Sequence, residues 1–217
     1  MTDFSASRNE MVDHQLIPKG IKDEAVLHAM RAVPRELFVA EADQDLAYMD
    51  GPLGIGHGQT ISQPYIVALM AELLELTPEK TVLEIGTGSG YAAAVLSLLA
   101  KEVYTVERYH SLAKQAEERF FSLGYDNVFV QASDGTAGWK AFAPYDAILV
   151  SAGAPHIPNA LKQQLNLWGK LVIPLGNTYF SQCLVQVTKV SEDEYDEKRI
   201  IPVRFVPLVG KDGWENS

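Results

Sequence analysis

The sequence predicts an α/β protein built on a doubly wound sheet of about seven strands. Three observations carry that expectation. Between residues 81 and 176, short β-rich runs alternate with helical runs, the pattern of strand–helix–strand units in a parallel sheet. The first strand-to-helix turn is glycine-rich, Gly86-Thr-Gly-Ser-Gly90. After residue 176 the alternation stops, and two β-rich runs face each other across an acidic stretch. That predicts an antiparallel hairpin added to the sheet edge.

Each element has a local reason. Two helical patterns near 6–17 and 22–33 open the chain, the second with Ala25, Val26, Ala29, Met30 and Val33 at helical spacing and Pro34 as its stop. The polar loop GHGQTISQP (56–64) precedes a helix near 64–76, where Pro64 suits the first turn because its missing N–H is not needed there. TVLEI (81–85), EVYTVE (102–107), NVFVQA (127–132), YDAILVSA (145–152) and KLVIPL (170–175) read as strands. YAAAVLSLLA (91–100), SLAKQAEERFFSL (111–123) and IPNALKQQL (157–165) read as helices, the middle one stopped by Gly124. CLVQVTKV and IIPVRFVPL form the expected hairpin, with SEDEYDEKR (191–199) as its solvated tip. The whole of 1–217 is expected to be one domain: a helical cap with a substrate loop (1–80), an α/β core (81–176) and C-terminal strands (177–217).

Composition narrows the function classes. The net charge of −10 opposes binding to a phosphate backbone, so no nucleic-acid partner is expected. No apolar run reaches the length of a membrane span, and the N-terminus lacks a signal-peptide pattern, so a cytoplasmic location is expected. The single cysteine, Cys183, excludes an intramolecular disulfide and is expected to be a buried strand residue. His14, His28, His110 and His156 show no metal-ligand spacing, so no metal is expected. His57, between two glycines, is read as shaping its loop through a hydrogen bond.

In such sheets ligands bind at the carboxyl ends of the strands. Glu107 ends the second core strand, 21 residues beyond Gly86, where a carboxylate accepts hydrogen bonds from ribose hydroxyls. Asp134, followed by Gly135, ends the third and is placed to reach a base. The turn is G-x-G-x-G, without the spacing of dinucleotide folds. Glu84 just before it is a poor neighbour for phosphate and a good one for a cation. S-adenosylmethionine, a nucleoside with a sulfonium and an ammonium and no phosphate, suits this arrangement.

Several stretches carry a resemblance. MVDHQLIPKGI (11–21), VPRELFV (33–39), IGHGQTISQPYIVALM (55–70), VLEIGTGSGY (82–91), DGTAGW (134–139) and VRFVPLVG (203–210) are similar to the protein-L-isoaspartate O-methyltransferase family over nearly the whole chain. The resemblance implies a Rossmann-like methyltransferase fold. It implies methyl transfer from S-adenosyl-L-methionine to the free α-carboxylate of L-isoaspartyl residues in damaged proteins and peptides, by a monomer. Gly86, Thr87, Gly88 and Ser89 would surround the methionine moiety, Glu107 the ribose, and Asp134 and Gly135 the adenine. Thr60, Ser62, Gln63 and Arg108 would also touch the cofactor. Thr60, Ile61 and Ser62 would meet the substrate, with Ser62 as the catalytic group, and Val203 and Arg204 would help form the isoaspartyl pocket. The chain departs from the family's usual residues at Ala92, Gly153, Trp168 and Val209. The competing readings are a small-molecule or nucleic-acid methyltransferase, a binding module without turnover, and a nucleotide-linked oxidoreductase. The first lacks support where DNA amino-methyltransferases carry D/N-P-P-Y/F, because this chain reads SAGAP.

Overall fold

In a computed structural model that describes residues 3–176 and 181–215, the β-branched runs of the core become parallel strands, the central ones buried on both faces and the edge strand β5 only partly covered. These are β3 (Thr81–Ile85), β4 (Glu102–Glu107), β5 (Val128–Ala132), β6 (Tyr145–Val150) and the first part of β7 (Leu165–Gly176). The last two strands, β8 (Gln182–Lys189) and β9 (Tyr195–Val203), pair antiparallel to complete a seven-stranded sheet in the order β5-β4-β3-β6-β7-β8-β9. Order reverses between β3 and β6, which pair in parallel although β4 and β5 lie between them in sequence.

Helices α4 (Tyr91–Ser97), α5 (His110–Leu123) and α6 (Asn159–Gln163) are the crossovers. The cap holds α1 (Ser5–Met11), continued by a wider turn at Val12–Leu16, then α2 (Glu24–Ala32) and α3 (Pro64–Leu73). Asp23 caps α2 by accepting from the N–H groups of Ala25 and Val26 at 2.8 and 3.1 Å. One buried apolar cluster joins cap to sheet through Met11, Met30, Val67, Tyr91 and Leu149. Among the described residues no helix is long and apolar enough to cross a membrane.

Four local expectations change. The loop before α3 is not structureless: β1 (Leu53–Gly56) and β2 (Gln59–Ile61) form a small antiparallel ribbon. Its tip, Gly56-His57-Gly58, turns with φ of 91°, 51° and 68°. The acidic hairpin tip is shorter than 191–199, because residues 195–199 belong to β9, an edge strand whose charged side chains face water. Residues 206–208 are not strand, since the chain leaves the sheet after Val203. Cys183 lies in β8 but is only half-buried. The span assigned to the terminal strands also includes 177–180 and 216–217, which lie outside the described residues.

β7 starts at Leu165 and bends at Trp168, where φ is +64°. A side chain in this left-handed region costs about 1–2 kcal/mol. Trp168 is 66% exposed, so its ring recovers little of that through packing. Trp168→Gly should therefore raise stability by about 1 kcal/mol in urea titration. An unchanged or lower midpoint would show that the exposed ring stabilises the bend.

Candidate active site

The site forms where the strand order reverses. β3 hands the chain to Gly86, whose φ of 94° turns the backbone back across the carboxyl ends of the strands. The N–H of Gly86 donates to the Val106 carbonyl at 2.8 Å, tying the turn to β4. Glu107 ends β4 and is 5% exposed. One of its carboxylate oxygens accepts from the N–H of Gly88 at 2.9 Å and the other from the N–H of Tyr109 at 2.9 Å. Each oxygen retains a lone pair, the acceptor capacity a pair of ribose hydroxyls requires. A Cβ on Gly135 would meet Ile85 at 2.4 Å, so the turn after β5 lies against the end of β3.

The ribbon folds over this turn. A Cβ on Gly88 would stand 3.2 Å from Cδ1 of Ile55 on β1. The ribbon's tip is fixed by His57, whose Nε2 lies 2.8 Å from Oγ of Ser111 and whose ring stacks on Tyr109 at 4.8 Å. His57 thus has the loop-shaping contact expected of it. From β2 the chain carries Thr60, Ile61 and Ser62 into one cleft with the glycine turn. That cleft encloses about 880 Å³, part of it open to solvent. Gly86, Thr87, Gly88, Ser89, Glu107, Arg108 and Gly135 line it as well.

Three residues expected at the site, Gln63, Val203 and Arg204, do not line the cleft, and a fourth, Asp134, lies beside it. Gln63 turns away and donates to a carboxylate oxygen of Asp50 at 2.8 Å. Asp134 lines a neighbouring hollow with Arg108 and Lys211, and its carboxylate is largely engaged. One oxygen accepts from the N–H and hydroxyl of Thr136 at 2.9 and 2.7 Å, and the other from the N–H of Lys211 at 2.8 Å. Burial opposes the charge of Asp134, but the N–H of Lys211 and the two donors of Thr136 hold its carboxyl below the ordinary range. Val203 and Arg204 do not line the cleft; Arg204 is exposed. Instead Val206, Pro207, Leu208 and Val209 do.

Backbone bonds made by distant residues explain that shift. The side-chain amide of Gln182 accepts from the N–H of Phe205 at 2.7 Å and donates to its carbonyl at 3.1 Å. The N–H of Gly153 donates to the Val206 carbonyl at 2.8 Å, and its carbonyl accepts from the N–H of Leu208 at 2.8 Å. A Cβ on Gly153 would lie 2.4 Å from the Gln182 amide nitrogen. Ser151 and Ala152, at the end of β6, complete the wall. The apolar V-P-L run without strand alternation was the available signal for a buried loop.

Glu84 is the strongest electrostatic feature. It is fully buried in β3 and lines the cleft. One carboxyl oxygen accepts from the Thr105 hydroxyl at 2.5 Å, and among the described residues the other has no hydrogen-bond partner. Thr105 in turn meets the Thr87 hydroxyl at 2.6 Å. Burial, together with the nearby Glu107, pushes the Glu84 carboxyl up to about 8 against the bond from Thr105. An orphaned carboxyl oxygen beside a glycine turn, with a ribose-ready carboxylate at the next strand end, fits a cationic nucleoside. Among the described residues no group of three or more His, Cys, Asp or Glu is placed to hold a metal.

A reversed parallel sheet with this turn, this cleft and these two carboxyl groups defines an S-adenosylmethionine-dependent methyltransferase. Comparison with known proteins narrows the class. The family model for protein-L-isoaspartate(D-aspartate) O-methyltransferase matches residues 6–213, and the chain belongs to that family. Protein-L-isoaspartate O-methyltransferase 1 of Geotalea uraniireducens is 57% identical over 210 residues, 96% of each chain. Protein-L-isoaspartate O-methyltransferase 2 of Pelobacter propionicus is 56% identical, covering 95% of this chain and 92% of its own length. A solved protein-L-isoaspartate O-methyltransferase superposes with a TM-score of 0.85 at 28% identity, over 94% of this chain and 67% of that one. A Plasmodium falciparum structure, described as a protein-L-isoaspartate O-methyltransferase in complex with S-adenosyl-L-homocysteine, superposes with a TM-score of 0.80 at 27% identity, over 93% and 98%.

The raised Glu84 carboxyl has a stability consequence. A carboxyl whose folded value lies above the usual 4.5 contributes stability that is full below that value and is lost as pH rises towards about 8. The ligand-free protein should therefore lose thermal stability between pH 5 and 8, and Glu84→Gln should flatten that slope. Parallel melting profiles for the two proteins would show that Glu84 is ionised throughout.

Proposed function

We propose that this cleft transfers a methyl group from S-adenosyl-L-methionine to the free α-carboxylate of L-isoaspartyl residues in damaged proteins and peptides, leaving a methyl ester and S-adenosyl-L-homocysteine. The observation that carries the reading is that Thr60 and Ser62 line the same cleft as the glycine turn and Glu107.

The chemistry asks little of the side chains. A peptide α-carboxyl titrates at about 3.3–3.9, so near neutral pH the nucleophile is already an anion and needs no base. The cofactor supplies a methyl group already activated on a sulfonium. What remains is positioning in line and exclusion of water, which the ribbon and the 206–209 segment provide from two sides. In this reading the Ser62 hydroxyl orients the carboxylate, with Thr60 and the buried Ile61 beside it. Glu107 holds the ribose while fixing the turn through Gly88. The remaining acceptor capacity of Asp134 serves the adenine amino group from the hollow next to the cleft. Arg108, common to cleft and hollow, stands over the Tyr109 ring at 5.0 Å and covers the nucleoside.

Cap, core and the segment that follows β9 all contribute cleft residues, which supports treating the chain as one methyltransferase domain. We further infer a cytoplasmic monomer, on the single free cysteine and the acidic surface charge.

The test is labelled methyl transfer to an isoaspartyl peptide beside its normal aspartyl twin. Base-labile label confined to the isoaspartyl peptide is the expected result, and equal labelling of the two would sink the reading. Ser62→Ala should lower kcat/KM for the peptide about 10- to 100-fold, the worth of one hydrogen bond to a charged group. Glu107→Ala should weaken cofactor binding by at least a similar factor in calorimetry, because it removes bonds to ligand and turn together. Wild-type affinity in that variant would remove Glu107 from the ribose site.

A further inference from the structure

We propose that Arg35 is a positioning residue for methyl transfer, whose buried guanidinium sets the pose of Thr60 and Ser62 over the cofactor cleft. The proposal rests on the reading that those two residues face the substrate carboxylate.

Arg35 sits in the turn after α2 and is 0% exposed. Removing a guanidinium from water is costly, and such groups persist where they hold something in place. Its Nε donates to the Ala47 carbonyl at 2.7 Å, and its Nη2 donates to the Ser62 carbonyl at 2.8 Å. Among the described residues Nη1 has no hydrogen-bond partner, and the guanidinium lies over the Tyr91 ring at 4.7 Å. The investment thus serves two carbonyls, one of which belongs to the residue that orients the substrate. Among the described residues no ion pair offsets the burial; the Tyr91 ring and the two carbonyls are what the guanidinium meets.

The contact also reaches the cofactor turn. Tyr91 is the first residue of α4, directly after Gly90, and it lines the cleft. The Phe38 ring meets it edge-on at 5.6 Å. Arg119 of α5 stands over Phe38 at 5.6 Å and donates through Nη1 to the Ser89 carbonyl at 2.6 Å. Two guanidiniums and two rings therefore form a strut between the Ser62 carbonyl and the Ser89 carbonyl. Its length fixes how far the substrate-orienting hydroxyl stands from the turn around the methyl donor. An error of about 1 Å there is enough to cost about 100-fold in rate.

The test compares Arg35→Lys and Arg35→Met with Arg8→Met. Arg8 bonds Glu36 and Tyr48 in the same cap and touches neither Ser62 nor the cleft, so it reports plain cap destabilisation. Arg35→Lys keeps the charge and cannot span both carbonyls, and it serves if Arg35→Met fails to fold. The expected result at 25 °C is at least a 30-fold loss of kcat/KM for the isoaspartyl peptide in the Arg35 variants, with cofactor affinity within threefold of wild type. Amide exchange across residues 59–63 should accelerate in the same variants and stay at the wild-type rate in Arg8→Met. The exchange readout is independent of any substrate, so the strut fails separately from the proposed function, which the wild-type assay decides. Full activity in Arg35→Lys, unchanged exchange at 59–63, or an equal activity loss in Arg8→Met would overturn the proposal.

Discussion

The reversal of strand order between β3 and β6 is the constraint on which the site depends. Because the chain leaves β3 for β4 on one side and returns to β6 on the other, the turns after these strands are drawn apart, and a crevice opens at their carboxyl ends. Everything functional is arranged around that opening. The glycine turn follows β3, Glu107 ends β4, Gly135 follows β5, and Ser151 and Ala152 follow β6. The ribbon and the 206–209 segment, which come from opposite ends of the chain, close it from above. A ligand held there touches residues separated by more than a hundred positions, which only the sheet's topology brings together.

Within this frame the charges are separated by environment. Glu107 is held as an acceptor by two backbone N–H groups. Glu84, two residues before Gly86, has one hydroxyl donor, one oxygen without a partner among the described residues, and complete burial, and is pushed up to about 8. The two carboxyl groups lie close enough for one to raise the other. A cationic ligand relieves that tension, because positive charge nearby favours ionised Glu84. The cleft is thus prepared for a cation by a cost carried in its empty form, the physical counterpart of its preference for a sulfonium over a phosphate.

Much of this was legible in the sequence, and the limits have physical causes. Alternation of β-rich and helical runs reported the core because buried parallel strands must be apolar on both faces. The glycine turn and Glu107 were legible because backbone geometry and strand register place them wherever the fold occurs. Asp134 was legible as a strand end but not as a carboxylate already taken by Thr136 and Lys211, since Lys211 lies 77 positions away. That Val206–Val209, and not Val203 and Arg204, line the cleft is illegible for the same reason. The bend after β9 is made by Gln182 and Gly153, and nothing near residue 203 announces either. The ribbon is not legible because three positive-φ residues at its tip suppress the strand pattern that a longer hairpin shows.

The two covers of the cleft are built on opposite principles, and that difference bears on how the site works. The 206–209 segment is held by backbone bonds to Gly153 and by the Trp214 N–H, which donates to the Leu208 carbonyl at 2.8 Å, while the Gln182 amide fixes Phe205 just before it and the Trp214 indole donates to the Gly153 carbonyl at 3.0 Å. Such a dense set of short bonds fixes one conformation. The ribbon has a three-residue strand, an exposed tip and few anchors: His57 on Ser111 and Tyr109 at one end, and Arg35 on the Ser62 carbonyl at the other. Segments with few buried contacts open most easily. A rigid wall facing a sparsely tethered one suits a substrate that arrives as part of a larger polypeptide. The fixed side defines the pocket, and on the proposed reading the buried guanidinium of Arg35 holds the Ser62 carbonyl in one position opposite it.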